Sequence, residues 1–224
     1  MSSLHQLLAK YPTILLIDSA STSVQVGLLR RDSEPFWSAK TGEASEQLFS
    51  NVNAVLAAAG LALDAVDAFV FCDGPGSVLG IRTAAVALRT WRVLRERPAY
   101  AFCSLAVVTH TLVSIKDRRA FSVIADARRD TWHRVAVDPK GTISNLHRIP
   151  AAELAGALVM PEGFRHWTSL PASTETVPYS LATLLPPLAD ADLFYEAAEP
   201  DAFLHEEPVY KTWTPQIHRA PSPS

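Results

Sequence analysis

The chain has 224 residues, of which 48% are hydrophobic and 19% charged, with a formal net charge of −3. This is enough chain for one large domain or two small ones, each with an ample core. The near-neutral balance excludes a general nucleic-acid binder, and no apolar run reaches the roughly 18 residues of a membrane span. Met1 to Lys10 has no basic segment leading into an apolar one, so a cytoplasmic protein is expected. Cys72 and Cys103 each close an apolar run without metal-ligand spacing, which predicts buried free thiols.

In chain order, residues 3–9 predict a short helix, stopped by Pro12, and residues 13–17 a first strand. Asp18 opens a polar turn, and Val24, Val26 and Leu28 alternate as a returning strand, so the unit is a hairpin with a carboxylate at the mouth of its turn. A third strand is expected around residues 35–39. Residues 45–59 read as an amphipathic helix with Gly60 as its stop. An apolar strand at 68–72 then runs into Asp73-Gly-Pro-Gly-Ser-Val-Leu-Gly-Ile-Arg82, which joins it to a helix over 81–95. A strand follows at 99–103.

That glycine-rich stretch is the sharpest motif. Gly74, Gly76 and Gly80 permit a tight turn and close backbone approach, Pro75 stiffens it, and Ser77 is placed to cap the helix. Two readings stay open: a structural joint, or a turn whose free N–H groups hold an anion. A P-loop is excluded because Ile81 and Arg82, not lysine and a hydroxyl, follow Gly80. The dinucleotide fingerprint fails on its spacing.

Residues 121–125 form a second apolar strand, Asp126 opens a second polar turn, and Val135 and Val137 lie in a second returning strand. Aligned without gaps on the two aspartates, Trp132 falls on Val24 and Ala136 on Leu28. The pattern suggests a duplicated strand-turn-strand unit. Beyond it, residues 151–158 and 180–185 look helical, Pro161, Pro171 and Pro178 mark irregular connections, and residues 219–224 read as a disordered tail.

Chemistry finds little support. There is no Gly-x-Ser-x-Gly elbow, and the seven histidines form no close pair. Arg82, Arg89, Arg92, Arg95 and Arg97 give the helix after the motif a basic side, read as a solvated face ahead of a nucleic-acid phosphate contact.

Ile17-Asp18-Ser19-Ala20, Gly74-Pro-Gly-Ser-Val-Leu-Gly-Ile-Arg82, Cys103-Ser-Leu105, Asp126-Ala-Arg-Arg129 and Glu207-Pro-Val-Tyr210 occur in the order found in the TsaB family, also called YeaZ, which the chain resembles. These are partner subunits of the bacterial machinery that makes threonylcarbamoyladenosine beside the anticodon of tRNA. The resemblance implies an α/β fold of two ribonuclease-H-like halves, as in actin and sugar kinases, divided here as residues 1–104 and a reduced 105–218. It implies a non-catalytic chain that pairs with a TsaD-like catalytic subunit, is joined by a TsaE-like ATPase, meets tRNA through the complex and forms a homodimer when alone. Pairing is expected through the first-half helices, with Leu48, Val52, Val55, Ile81, Ala84, Ala85 and Leu88 as contacts, and any ATP or ADP at the partner interface. The motif positions carried over are Asp18, Gly74, Pro75, Gly76, Ser77, Gly80, Arg82, Asp126, Arg128 and Arg129. No cofactor, metal or catalytic residue is expected in the isolated chain. Both aspartate turns lack glycine, and side chains there would crowd a phosphate, so Asp18 and Asp126 are expected to bond their own turns. The sequence departs from the family pattern in Ala44 for histidine, Val78-Leu79 for Phe-Thr, Asp130-Thr-Trp-His133 for Gly-Glu-Val-Tyr, and residues 1–13 ahead of the usual start.

Overall fold

Two mixed β-sheets repeat one plan. The structure, a computed structural model, describes residues 1–115 and 117–203. The first half runs α1 (Leu4–Lys10), β1 (Thr13–Asp18), β2 (Ser23–Arg30), β3 (Ser33–Thr41), α2 (Ala44–Ala59), β4 (Ala68–Gly74), α3 (Val78–Leu94) and β5 (Ala99–Cys103). After α4 (Ser104–Ser114) come β6 (Phe121–Asp126), β7 (Thr131–Val137), β8 (His147–Pro150), β9 (Ala157–Pro161), β10 (Thr174–Val177), α5 (Leu181–Leu184) and β11 (Tyr195–Glu196).

The first sheet is ordered β11-β5-β4-β1-β2-β3 and the second β10-β9-β6-β7-β8. In each, an antiparallel hairpin carries a third antiparallel strand on one side and two parallel strands on the other. The duplicated α/β fold anticipated from the two hairpins is therefore present. One register detail differs: Asp18 pairs with Gln25, but Asp126 pairs with Trp132. The second turn is one residue shorter, so Trp132 is the counterpart of Gln25, not of Val24. The halves also do not divide cleanly, because β11 returns from the second half to pair with β5.

Alternation along β1 and β4 sends Leu15, Ile17, Phe69 and Phe71 to one face of the first sheet, under α2 and α3, and Ile14, Leu16, Val70 and Cys72 to the other. The second face packs on α4, which also touches the second sheet and so fills the space between the halves. The helices α2 and α3 are thus an outer layer. Residues 151–158 are not helical: a 3₁₀ turn at Ala151–Glu153 gives way to β9, whose Ala157–Val159 edge pairs in parallel with Phe121–Val123. Ladder pairing with a buried strand overrides the helix propensity of this alanine-rich segment. The residues from Glu207 to Tyr210, and residues 219–224, lie outside the described residues.

Candidate functional site

The glycine-rich turn is held by close backbone approach. Ser77 caps α3, its hydroxyl accepting from the Gly80 N–H at 3.3 Å, and the Ser77 N–H donates to the Ala20 carbonyl at 2.7 Å. Gly76 has φ of +155°, and a Cβ there would collide with the backbone of Ala20; a Cβ on Gly80 would collide with the Ser19 carbonyl. The hydroxyl of Ser104, first residue of α4, donates to the Pro75 carbonyl at 2.6 Å. The motif is therefore a joint where β4, α3, α4 and the first hairpin turn meet. The α3 helix begins at Val78, three residues before the expected start, because the Ser77 cap recruits Val78 and Leu79.

Asp18 is fully buried. It accepts from the Ala20 N–H at 2.8 Å and, across the boundary between halves, from the Tyr179 phenol at 2.5 Å. Burial pushes its carboxyl up to about 6, against opposing hydrogen bonds from Tyr179, Ala20 and Cys72. Asp73 is similar: burial raises it to about 6 while the Tyr195 phenol donates to it at 2.7 Å.

Asp126 differs. Burial works against its charge, but the N–H groups of Thr168, Trp167 and Arg128 outweigh it and hold the carboxyl below its ordinary value. Those donors stand at 2.9, 2.7 and 2.5 Å. The turn that follows is strained, with positive φ at Arg128, Arg129 and Asp130, and Arg128 lies 4.2 Å over the Trp167 ring.

Both aspartates thus bond their own turns as expected, and each is also occupied from afar by the segment after β9. The Thr22 N–H donates to the Gly163 carbonyl at 2.8 Å, Phe164 packs edge-on against Tyr179 at 5.0 Å, and Gln25 donates to the Tyr179 carbonyl while accepting from the Leu181 N–H. Segments that follow β9 thus contact both hairpin turns. A neighbouring cavity beside Ser19, Ser77 and Gly80 measures about 70 Å³. A small-molecule site ordinarily needs about 300 Å³ or more. Among the described residues, no group of three or more His, Cys, Asp or Glu is placed to hold a metal ion. Cys72 is buried and Cys103 partly so, both free, and burial pushes the Cys103 thiol up to about 12.

The seven expected contact residues are placed otherwise. Leu48, Val52, Val55, Ile81, Ala84, Ala85 and Leu88 are all buried within the first half. All but Ile81 form the inward faces of α2 and α3, because these helices must cover one face of the first sheet before they can offer anything outward, whereas Ile81, in the first turn of α3, packs in the cluster between the halves. The outward face carries other residues: Phe49, Leu79 and Val86 are 48%, 72% and 52% exposed. With Arg82, Thr83, Ala87, Thr90 and Trp91 they line an open groove of about 380 Å³. Phe49 meets Trp91 edge-on at 6.1 Å, which fixes the groove floor. An apolar count over both faces of α3 would have revealed this groove; nothing local marks Tyr179 or Trp167 as partners of the aspartates.

Two solved structures from Pseudomonas aeruginosa share this architecture. YeaZ superimposes with a TM-score of 0.58 at 23% identity over 79% of this chain and 90% of its own. An uncharacterized protein described as similar to peptidase YEAZ gives 0.57 at 20% identity, over 77% and 89%. The fold is that of YeaZ. Beyond the YeaZ fold, residues 41–145 match the family described as TsaD, tRNA N6-adenosine threonylcarbamoyltransferase. Uncharacterized proteins of Mycobacterium tuberculosis and Mycobacterium bovis are 32% identical over 121 residues, 52% of this chain. The chain spans about half the length of these curated relatives, 55% of each.

Proposed function

We propose that this chain is a non-catalytic partner subunit in the formation of threonylcarbamoyladenosine on tRNA, pairing with a TsaD-like catalytic subunit that a TsaE-like ATPase joins. The observation that supports the reading is that both turn aspartates are taken up by hydrogen bonds from the segments after β9. Proteins of the wider superfamily hold phosphate at these hairpin turns, and here Tyr179, Trp167 and Thr168 satisfy both aspartates instead. What the chain offers outward is the α2–α3 groove, which belongs to the TsaD-like stretch 41–145. Related helix pairs with matching outer faces pack together readily. Contact with tRNA then comes through the assembled complex.

The test is co-purification of a TsaD-like protein from the source cell, together with nucleotide titration of the purified chain. Recovery of the partner and absence of nucleotide binding support the reading. Stoichiometric ATP binding with phosphotransferase or peptidase turnover by the chain alone, lost in Asp18→Ala, would replace it with an active enzyme.

A further inference from the structure

The cavity of about 70 Å³ beside the glycine-rich turn gathers the polar ends of several elements. Ser19 of the first hairpin turn, Ala44 and Ser45 at the start of α2, Leu79 and Gly80 at the start of α3, and Arg165 from the segment after β9 all line it. One water needs only about 10–15 Å³ of such space, and a drug-sized ligand about 300 Å³ or more. A volume between these limits suits a single small ion.

Its wall is polarised in one direction. Helices α2 and α3, of 16 and 17 residues, both begin here, so each brings the positive end of its dipole and first-turn N–H groups that the helix itself cannot satisfy. The α2 cap makes no side-chain hydrogen bond, and among the described residues nothing accepts from the N–H groups of Ala44, Ser45 or Leu79. Ser19 supplies an independent sign. It is 1% exposed, yet its hydroxyl has no hydrogen-bond partner among the described residues, an arrangement that folded proteins rarely tolerate. Arg165 adds a cation. Among the described residues of the wall the only carboxylate is that of Glu43, which accepts from Arg165 at 3.0 Å with both side chains about half exposed, a pair of little energetic weight.

We propose that this cavity binds one phosphate-sized oxyanion, held by the Ser19 hydroxyl, the first N–H groups of α2 and α3 and the Arg165 guanidinium. Backbone N–H groups at a helix start and a guanidinium are the donors that anions ordinarily meet, and a charged acceptor shortens and strengthens each bond. The anion reading left open for the glycine-rich motif is thereby met with α2 as a second helix end. The same chemistry is offered by free phosphate and by the terminal phosphoryl group of a larger molecule, of which the cavity admits only that group. A bound anion would fasten Arg165, and with it the segment after β9, to the two outer helices. The inference is independent of the partner-subunit reading.

The test is the melting temperature of the full chain, titrated with inorganic phosphate and, separately, with glycerol 2-phosphate, against sodium chloride at matched ionic strength. Wild type is expected to gain about 2–4 °C at a phosphate concentration roughly ten times the dissociation constant, and chloride to give no such gain. Ser19→Ala removes an unpaired buried hydroxyl, so without phosphate it should be at least as stable as wild type, and with phosphate it should bind at least about tenfold more weakly. Arg165→Gln changes an exposed side chain and should also weaken binding while the fold stays intact. An equal response to glycerol 2-phosphate assigns the site to a phosphoryl terminus, and a response to phosphate alone assigns it to the free ion. No gain over chloride up to about 50 mM phosphate would overturn the inference. So would equal phosphate responses in wild type, Ser19→Ala and Arg165→Gln, which would put any bound anion elsewhere on the molecule.

Discussion

The phenol of Tyr179, in the second half of the chain, donates to the carboxylate of Asp18, at the mouth of the first hairpin turn, across 2.5 Å. Neither group meets water freely, and each is the other's polar partner. Replacing Tyr179 by Phe should leave a buried carboxylate one donor short. The expected cost is about 1–3 kcal/mol, the penalty for an unsatisfied buried polar group. Chemical denaturation of Tyr179→Phe, Asp18→Asn and the double variant checks it; additive losses would show the two groups to be uncoupled.

The pH dependence follows from the same carboxyls. Asp18 and Asp73 both titrate near 6 in the folded protein against 3.8 in the unfolded chain. A raised acid favours the folded state while protonated, so its contribution is complete below about pH 4 and is lost as pH rises through about 6. Each shift corresponds to roughly 2–3 kcal/mol. Burial lowers His110, which acts the other way, costing stability as pH falls below about 6.5. Melting curves of wild type and Asp18→Asn/Asp73→Asn at about pH 5 and 7.5 separate the two effects, since His110 is common to both. Wild type should lose more stability than the double variant on going to the higher pH.

The glycine-rich joint should respond through its backbone. Gly76→Ala is expected to destabilise by more than about 1 kcal/mol, because the new Cβ has a positive φ and meets Ala20. Ser77→Ala should cost about 1 kcal/mol as a lost cap. Thermal denaturation, read beside the tRNA-modifying activity of the reconstituted complex, decides the matter. Activity abolished by Ser77→Ala at unchanged stability would make the turn a reactive site.

The two faces of the outer helices should separate cleanly under substitution. Val52→Arg places a charge in the core under α2 and is expected to unfold the first half. Val86→Asp alters only the outward groove and should leave the melting temperature nearly unchanged while weakening partner binding. Equal binding by Val86→Asp and wild type would remove the groove from the interface.

The sequence was legible where structure is made locally. Both aspartates could be read as turn ligands because their first hydrogen bonds reach only two residues ahead, to Ala20 and Arg128. Their second partners were invisible, since Tyr179 and Trp167 are distant in sequence and carry no local pattern. Helix α4 went unread for a different reason. Lying between the sheets, it buries Leu105, Val107, Val108, Thr109, Thr111 and Leu112, and a helix covered on several sides has no polar stripe to reveal its period. The inward faces of α2 and α3 are legible as apolar faces but their neighbour is not, because periodicity says that a face is covered and not by what.

Gln25 deserves a last consequence. Its single amide grips the main chain of the second half at two points, at Tyr179 and at Leu181, and the hydrogen bonds from Thr22 to Gly163 and from Tyr195 to Asp73 tie further segments of that half to the first. Hinge closure needs an interface that slides or parts. Here parting it would strand several buried donors and acceptors at once, so the two halves are expected to melt together in one calorimetric transition.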